Sequence, residues 1–389
     1  MPSITFELET VTPLFLAGAD QNTAELRPPA FRGALRYWFR AIASSIITFD
    51  EVKKWEDKVF GSTDAGGNVI IRVQAQKAVS NCVIKRDNDF LGLAYLFFST
   101  YGDKNQEPRG CFPPSSHFKL ILQTRLGREE DSKALSLAIG AMWMLVNLGA
   151  LGSRSNRGAG NLKVRKEPEN NNNIQFKIRA NNLTELSSEL SQGIQKVKQI
   201  YQDVLSGKKQ ALTLPNHFEI LDSQTASLYL WQSENIKDND YWDNLLDSFG
   251  NIFRNFRLRY NKASSEDYKE IKHWLKTGDS TNIKTVKRAA FGLPLQFRFT
   301  SLPGKSASVL GTNKINRSSS PLRVRVIELP NQTVAILVIY FKIILLPDNQ
   351  KLLLKSKNVH MPVELVTPNQ DIIEQEFIPF ITNLISVNI

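Results

Sequence analysis

The sequence predicts an α+β protein of two units, each built on an antiparallel sheet with helices on one face. Three observations carry this. The first 166 residues run strand, helix, strand, strand, helix, strand. A polar break, EPENNNN from Glu167 to Asn173, reads as linker or loop. Strands and helices then resume over 167–389, with a helical insertion at about 238–278.

The opening stretch SITFELETV alternates apolar and polar residues, the period of a half-buried strand. PPAFRGALRYWFRAIASSI is a helix: Pro28 and Pro29 suit its first turn, where a missing N–H costs nothing. Phe31, Leu35, Trp38 and Ile42 give it one apolar face. NVIIRVQAQKAV and SHFKLILQTRL read as strands, Ser132 to Asn147 as the second helix, and NLKVRK as a short basic strand. This order is that of the ferredoxin-like or split βαβ arrangement, the plan also of common RRM-like RNA-binding modules.

Beyond the break, IQFKIRA reads as a strand, Leu183 to Leu205 as a helix, and LTLP and SLYLW as strands. Helices follow at Asp240 to Tyr260 and Ser265 to Lys276. LPLQFRFT, LRVRVIEL and TVAILVIYFKIILL return to strand, and Asn369 to Leu384 fits a last amphipathic helix. A second, decorated ferredoxin-like domain is the expectation for this half.

Charge narrows the function. Lys and Arg number 49 against 38 acids, a formal net charge of +11, which makes polyanions and nucleic acid in particular the leading partner class. Cys82 and Cys111 form no CxxC pair and too few bridges for a disulfide framework, which points to a reducing compartment. Four dispersed histidines (His117, His217, His273, His360) give no structural zinc pattern, and neither metal nor cofactor is expected. The N-terminus lacks a signal-peptide pattern, and VAILVIYFKIILL is too short to span a bilayer. The expectation is a cytoplasmic chain with no membrane partner.

Three basic regions are candidate RNA contacts. Arg32, Arg36 and Arg40 recur every four residues on the first helix, with no acid between Glu25 and Asp50 to neutralise them and with Gly33 allowing close backbone approach. The loop GALGSRSNRGAG follows the second helix. Its Gly152, Gly158 and Gly160 permit positive φ, its Ser153 and Ser155 offer hydroxyls, and Arg154, Arg157 and the nearby Lys163 add charge with no acid up to Lys166. From Ser280 to Ile327 there is again no acid, and Lys314, Arg317 and Ser318 fall in a serine-rich stretch that reads as a long mobile loop. A fourth cluster, FRNFRLRY, sets Arg254, Arg257 and Arg259 among aromatics, with Phe253 and Phe256 expected in the core.

Catalytic patterns are few. GxxxxGK[ST] is absent: the one GKS, at Gly304 to Ser306, has Phe299 in place of the first glycine. His117 reads as a structural histidine. Asp20, in the loop after the first strand, is the one weak catalytic candidate, able in principle to assist a metal or a 2′-hydroxyl in RNA cleavage.

VTPLFLAGAD, AELRPPAFRGALRYWFRA, VFGS and GALGSRSNRGAGNLKV together resemble the RAMP superfamily of CRISPR proteins, most closely the first RAMP subunit of type III-B Cmr effector complexes. AFGLPLQFRF and RSSSPLRVRV are similar to the C-terminal half of that subunit. The resemblance implies two ferredoxin-like domains and a structural role: contact with guide RNA toward its 3′ end, engagement of target RNA, and assembly with other RAMP subunits, with catalysis located elsewhere. It implies Arg32, Arg36, Arg40, Arg154, Arg157, Arg317 and Ser318 as RNA contacts. The surroundings of Asp20 do not match those of the catalytic aspartate in backbone RAMP subunits. A RAMP endoribonuclease using Asp20 or a histidine base is the alternative.

Overall fold

The computed structural model describes residues 1–20, 22–75, 82–102, 106–205, 218–233, 241–259, 265–313, 315–347, 349–359, 361–368 and 372–389. Lys314, His217, His360 and the LTLP strand expected at 212–215 lie outside them.

The N-terminal half contains β1 (Ser3–Thr10), α1 (Pro28–Ala43), α2 (Phe49–Phe60), β2 (Val69–Ala75), β3 (Cys82–Val83), α3 (Leu91–Leu96), β4 (Gly110–Cys111), β5 (His117–Thr124), α4 (Glu129–Asn147) and β6 (Leu162–Val164). Its main sheet has the order β2-β5-β1-β6, antiparallel throughout. The alternation that marks β1 and β5 places Ile4, Phe6, Leu8, Phe118, Leu120 and Leu122 in the core. The C-terminal half continues with α5 (Leu183–Val204), β7 (Ala226–Trp231), α6 (Trp242–Arg259), α7 (Glu266–Thr277), β8 (Leu295–Arg298), β9 (Ser306–Gly311), β10 (Leu322–Glu328), β11 (Val334–Phe341), β12 (Leu352–Ser356), β13 (Val363–Leu365), α8 (Ile378–Phe380) and β14 (Ile385–Val387). Its main sheet has the order β10-β11-β7-β14, also antiparallel. In both sheets the strands thus run second, third, first, fourth in chain order. All of β11 is buried, which explains its unbroken apolar run.

Four expectations need correction. IQFKIRA forms no strand. Its Phe176 and Lys177 N–H groups donate to the Glu167 carboxylate and that of Ala180 to Glu189, so side chains take the place of a ladder. The serine-rich stretch is no mobile loop along its whole length, because Ala307 and Val309 point inward from β9 in a third sheet, β13-β12-β9-β8. That sheet packs with Ile271, Trp274 and Leu275 of α7 in a core of its own. Over the expected final helix, the described residues hold a π-helical turn at Ile372–Phe377 and the short α8, then β14 at the sheet edge. Cys82 and Cys111 face each other across the β3/β4 pair and form a disulfide, their Cα atoms 5.1 Å apart.

The polar break at 167–173 divides the chain but not the core. α5 covers the outer side of α4, which explains why α4 is apolar nearly all round. Asn182 caps α5, accepting from Glu185 N at 2.9 Å. Tyr201 then donates to the Leu137 carbonyl of α4 at 2.8 Å, and Ser187 and Ser191 donate to the carbonyls of Ser386 and Asn388. One helix therefore joins both halves. Where α5 meets α4, a Cβ on Gly193 would overlap the Trp143 ring, which is fixed by its indole N–H donating to Gln175 O at 2.8 Å. Gly193→Ala should therefore cost about 1–3 kcal/mol by overpacking, measured by urea unfolding. Helix propensity alone would give a gain of roughly 1 kcal/mol, so a stabilised variant would refute this packing account.

Candidate nucleic-acid interface

The glycine-rich loop that links α4 to β6 is an anchored segment. Its centre is a short 3-10 turn, Ser155–Arg157. Gly158 and Gly160 have φ of 86° and 68°, and a Cβ on Gly160 would overlap the Leu151 carbonyl. The glycines therefore serve packing within the protein, where the sequence suggested approach to a phosphate. Ser153 N donates to Phe15 O, and Arg109 donates to the Ser153 hydroxyl at 2.7 Å.

The loop lies along β10, an edge strand of the second sheet. Arg325 is buried with no acidic partner among the described residues; its guanidinium donates to Gly149 O and, at 2.7 Å, to Leu162 O, the two ends of the loop. Val326 N donates to the Asn161 side chain at 2.9 Å, Arg323 to the Asn156 side chain, and Arg157 to Leu322 O at 3.1 Å. The open edge of β10 is thus occupied by the loop.

Where loop and second sheet meet, a cavity of about 660 Å³ opens, bordered by Arg154, Arg157, Arg257 and Arg288. Among the described residues lining it, none is acidic. Each guanidinium rests on an aromatic ring: Arg154 over Phe98 at 4.3 Å, Arg157 over Phe253 at 5.0 Å, Arg257 over Phe291 at 5.6 Å and Arg288 over Phe297 at 4.9 Å. An aromatic face stabilises a cation while leaving its N–H groups free. The Nε groups of Arg154, Arg257 and Arg288 are buried with no hydrogen-bond partner among the described residues. Burial, with the Arg257 charge second, pushes Arg157 down to about 9; burial likewise lowers Arg154 and Arg288 to about 10. The site is cationic, desolvated and short of counter-charge, the electrostatic condition for holding an anion.

Neighbouring elements set these side chains. Asp247 of α6 accepts from the Gly92 and Leu93 N–H groups at 2.7 and 3.0 Å, capping α3. The backbones of Gly92 and Gly250 meet at that crossing with no room for a Cβ. α3 thereby brings Tyr95, whose hydroxyl accepts from Arg257 at 2.8 Å. Phe98, just beyond α3, stands at the mouth. The disulfide closes the segment that contains both.

Several candidate residues fall elsewhere. Arg36 and Arg40 both pair with Glu56 of α2, Arg40 at 2.8 Å, so the stripe that looked unneutralised along α1 has its acid on the next helix. A Cβ on Gly33 would meet none of the described residues within 4 Å, so no close packing there requires glycine. Arg32 Nε is buried with no hydrogen-bond partner among the described residues. Lys163 bridges Glu9 and Glu328 at 3.1 and 2.6 Å and is neutralised by them. Arg317 is exposed, whereas Ser318 lines the cavity and donates from its hydroxyl to Leu345 O. Arg154, Ser155, Arg157 and Ser318 are therefore the candidates brought together, with Gly152 and Ser153 at the adjoining start of the loop. Arg257 and Arg288, read from the sequence only as members of other basic stretches, join them. Tyr95 and Phe98 carried no pattern that marked them.

The catalytic candidates are engaged otherwise. The Asp20 carboxylate accepts from the Thr23 hydroxyl and N–H and from Asn22 N, bonds that hold its pKa below the usual value and close its own turn. His117 pairs with Glu9 at 3.1 Å. Among the described residues, no group of three or more His, Cys, Asp or Glu is placed to hold a metal ion, and no helix is long and apolar enough to cross a membrane.

A cationic, aromatic-backed cavity at the junction of two antiparallel sheets, reached from a glycine-rich loop, is the frame in which the family likeness becomes specific. Residues 7–163, β1 through the loop, match the family model of the RAMP superfamily. The chain's relatives narrow the class. It is 29% identical over 179 residues to the CRISPR system Cmr subunit Cmr1-2 of Pyrococcus furiosus, covering 41% of this chain and 93% of that protein. To Cmr1-1 of the same organism it is 32% identical over 163 residues, 41% of this chain and 46% of that protein, less than half its length. In fold it is similar to the crystal structure of apo Cmr1 from Pyrococcus furiosus, with a TM-score of 0.63 and 20% identity over 100% of this chain and 99% of that one. It is also similar in fold to a chain in the cryo-EM structure of type III-B Cmr-beta bound to cognate target RNA, with a TM-score of 0.53 and 13% identity over 92% and 96% of the chains.

Arg154 adopts φ 61° and ψ 17°, a left-handed conformation that costs a non-glycine residue roughly 1–2 kcal/mol. Arg154→Gly removes that cost together with a buried charge. The variant should be as stable as the parent or more so by about 1 kcal/mol in urea unfolding, yet be retained less on immobilised oligoribonucleotide. Lower stability with unchanged retention would make Arg154 a structural residue.

Proposed function

We propose that the chain is an RNA-binding structural subunit of a type III-B Cmr effector complex, contacting guide RNA toward its 3′ end and helping to capture target RNA. The observation that carries this reading is the acid-free arginine cavity at the end of the glycine-rich loop. Four guanidinium groups with no ion-paired carboxylate among the described residues suit a phosphate backbone, and such contacts position RNA independently of its sequence. The Cmr1 relatives and the likeness to a chain of an RNA-bound Cmr-beta assembly support the same reading. In it, residues 1–166 and 167–389 are two ferredoxin-like domains joined by α5, the partners are other RAMP subunits, and the complex works in the cytoplasm. Arg32 and Arg317 serve as peripheral contacts, and Lys314 belongs to the same basic stretch as Arg317.

The subunit cleaves no RNA in this reading, in keeping with the closed turn around Asp20. Labelled RNA incubated with the full chain and Mg²⁺ should stay intact, and Asp20→Ala should leave binding unchanged. Specific products that disappear in that variant would favour a nuclease instead. Replacing Arg257 and Arg288 together with Ala should weaken binding and reduce the slope of log K against log salt by about 0.7 for each single-strand phosphate no longer neutralised, measured by fluorescence anisotropy across a salt series. An unchanged slope would remove the cavity from the RNA path.

A further inference from the structure

We infer that the arginine cavity takes an unpaired nucleotide of single-stranded RNA, with its base stacked on Phe98 and its phosphate held by Arg157, Arg257 and Arg288. The inference rests on the proposed RNA-binding role and specifies which form of RNA the site accepts.

Shape excludes a duplex from the interior. A volume of about 660 Å³ falls in the range, roughly 300–1,000 Å³, of cavities that enclose one small ligand. It can admit a nucleotide with its flanking phosphates, whereas an A-form helix could only lie across the opening. The cations lie inside and partly buried, Arg157 between the loop and the ring of Phe253. A phosphate must enter the cavity to reach them, and within a paired helix the backbone cannot leave the surface so far.

The mouth supplies the second observation. Phe98 is 67% exposed, a large apolar side chain left in solvent beside a set of buried cations. Arg154 lies over the Phe98 ring, 4.3 Å from its centroid, so ring and guanidinium form a stacked pair at the rim. Arg154 occupies its left-handed backbone conformation at that point, a local cost tolerated where the side chain is needed. An exposed aromatic ring next to a planar guanidinium is the platform on which an unpaired base stacks, and every base has a face to offer. In a duplex that face is covered by the neighbouring base pairs.

Side-chain chemistry on the far wall is consistent with a ribose-phosphate backbone. Ser318, Ser319 and Ser320 line it, and none brings a negative charge. The site therefore reads form, not sequence: a ring for any base and cations for any phosphate.

The test uses the full chain with a short single-stranded RNA carrying one 2-aminopurine, and the same RNA annealed to its complement. Stacking on Phe98 should quench 2-aminopurine fluorescence on binding of the single strand. Phe98→Ala should abolish the quench and weaken single-strand binding by about 5- to 100-fold, the size of one base–aromatic stack, with duplex binding unchanged. Phe98→Trp should restore both. Since Phe98 is exposed, Phe98→Ala should keep the parental melting temperature, which checks folding. Single-strand binding by Phe98→Ala equal to the parent, or tighter parental binding to duplex than to single strand, would overturn the inference and leave RNA binding itself intact. No binding by the parent to either RNA would overturn both this inference and the role on which it rests.

Discussion

The structure depends on the way Arg325 is held. Its guanidinium, buried and pushed down to about 9 by that burial, donates to the carbonyls of Gly149 and Leu162. Those two residues are the start of the glycine-rich loop and the first residue of β6. A strand of the second sheet thereby holds both ends of a loop that belongs to the first. Asn161 adds a further link, its side chain accepting from Val326 N and its own N–H donating to Thr12. Without these bonds the two halves would still share α5, but the loop would be tied to the second sheet only through its centre, at Asn156 and Arg157.

The cavity that results is unusual in its means of satisfying charge. Buried arginines ordinarily face carboxylates, as Arg323 does on Glu219 at 2.5 Å, and the more exposed Arg36 and Arg40 share Glu56. At the cavity the partners are rings and backbone carbonyls. A carboxylate would have closed each fork and competed with any phosphate for it. A ring stabilises the cation by a smaller amount and leaves the N–H edge open. The difference between the Glu56 cluster and the cavity is therefore a difference between arginines that hold helices together and arginines left able to bind.

Much of the frame was legible in the residues. Alternation identified β1, helical spacing identified α1, and an unbroken apolar run identified β11, because each carries one consistent pattern along its length. β9 was hidden because only Ala307 and Val309 carry its apolar face inside a serine-rich stretch. The stretch 174–180 has strand-like alternation but lends its N–H groups to Glu167 and Glu189, a choice no local pattern records. At the site, the loop stood out by composition. Its companions did not, since Arg257 meets Tyr95 across 162 positions of chain. The α1 stripe misled for the same reason in reverse: its acid, Glu56, arrives from α2 by packing.

The glycine-rich loop is thus anchored at several points along its length, and its chemistry requires this. Four like charges brought together repel one another, and burial adds to the cost, as the lowered values at Arg154, Arg157 and Arg288 record. A mobile loop would relieve that repulsion by swinging Arg154 and Arg157 into water. The anchors at Gly149, Ser153, Asn156 and Asn161, together with the close packing of Gly152 on Phe15 and Gly160 on Leu151, oppose the escape. The folding energy of the shared core holds the cations in place before any anion arrives. An entering phosphate then gains the full attraction without first having to order the groups that bind it.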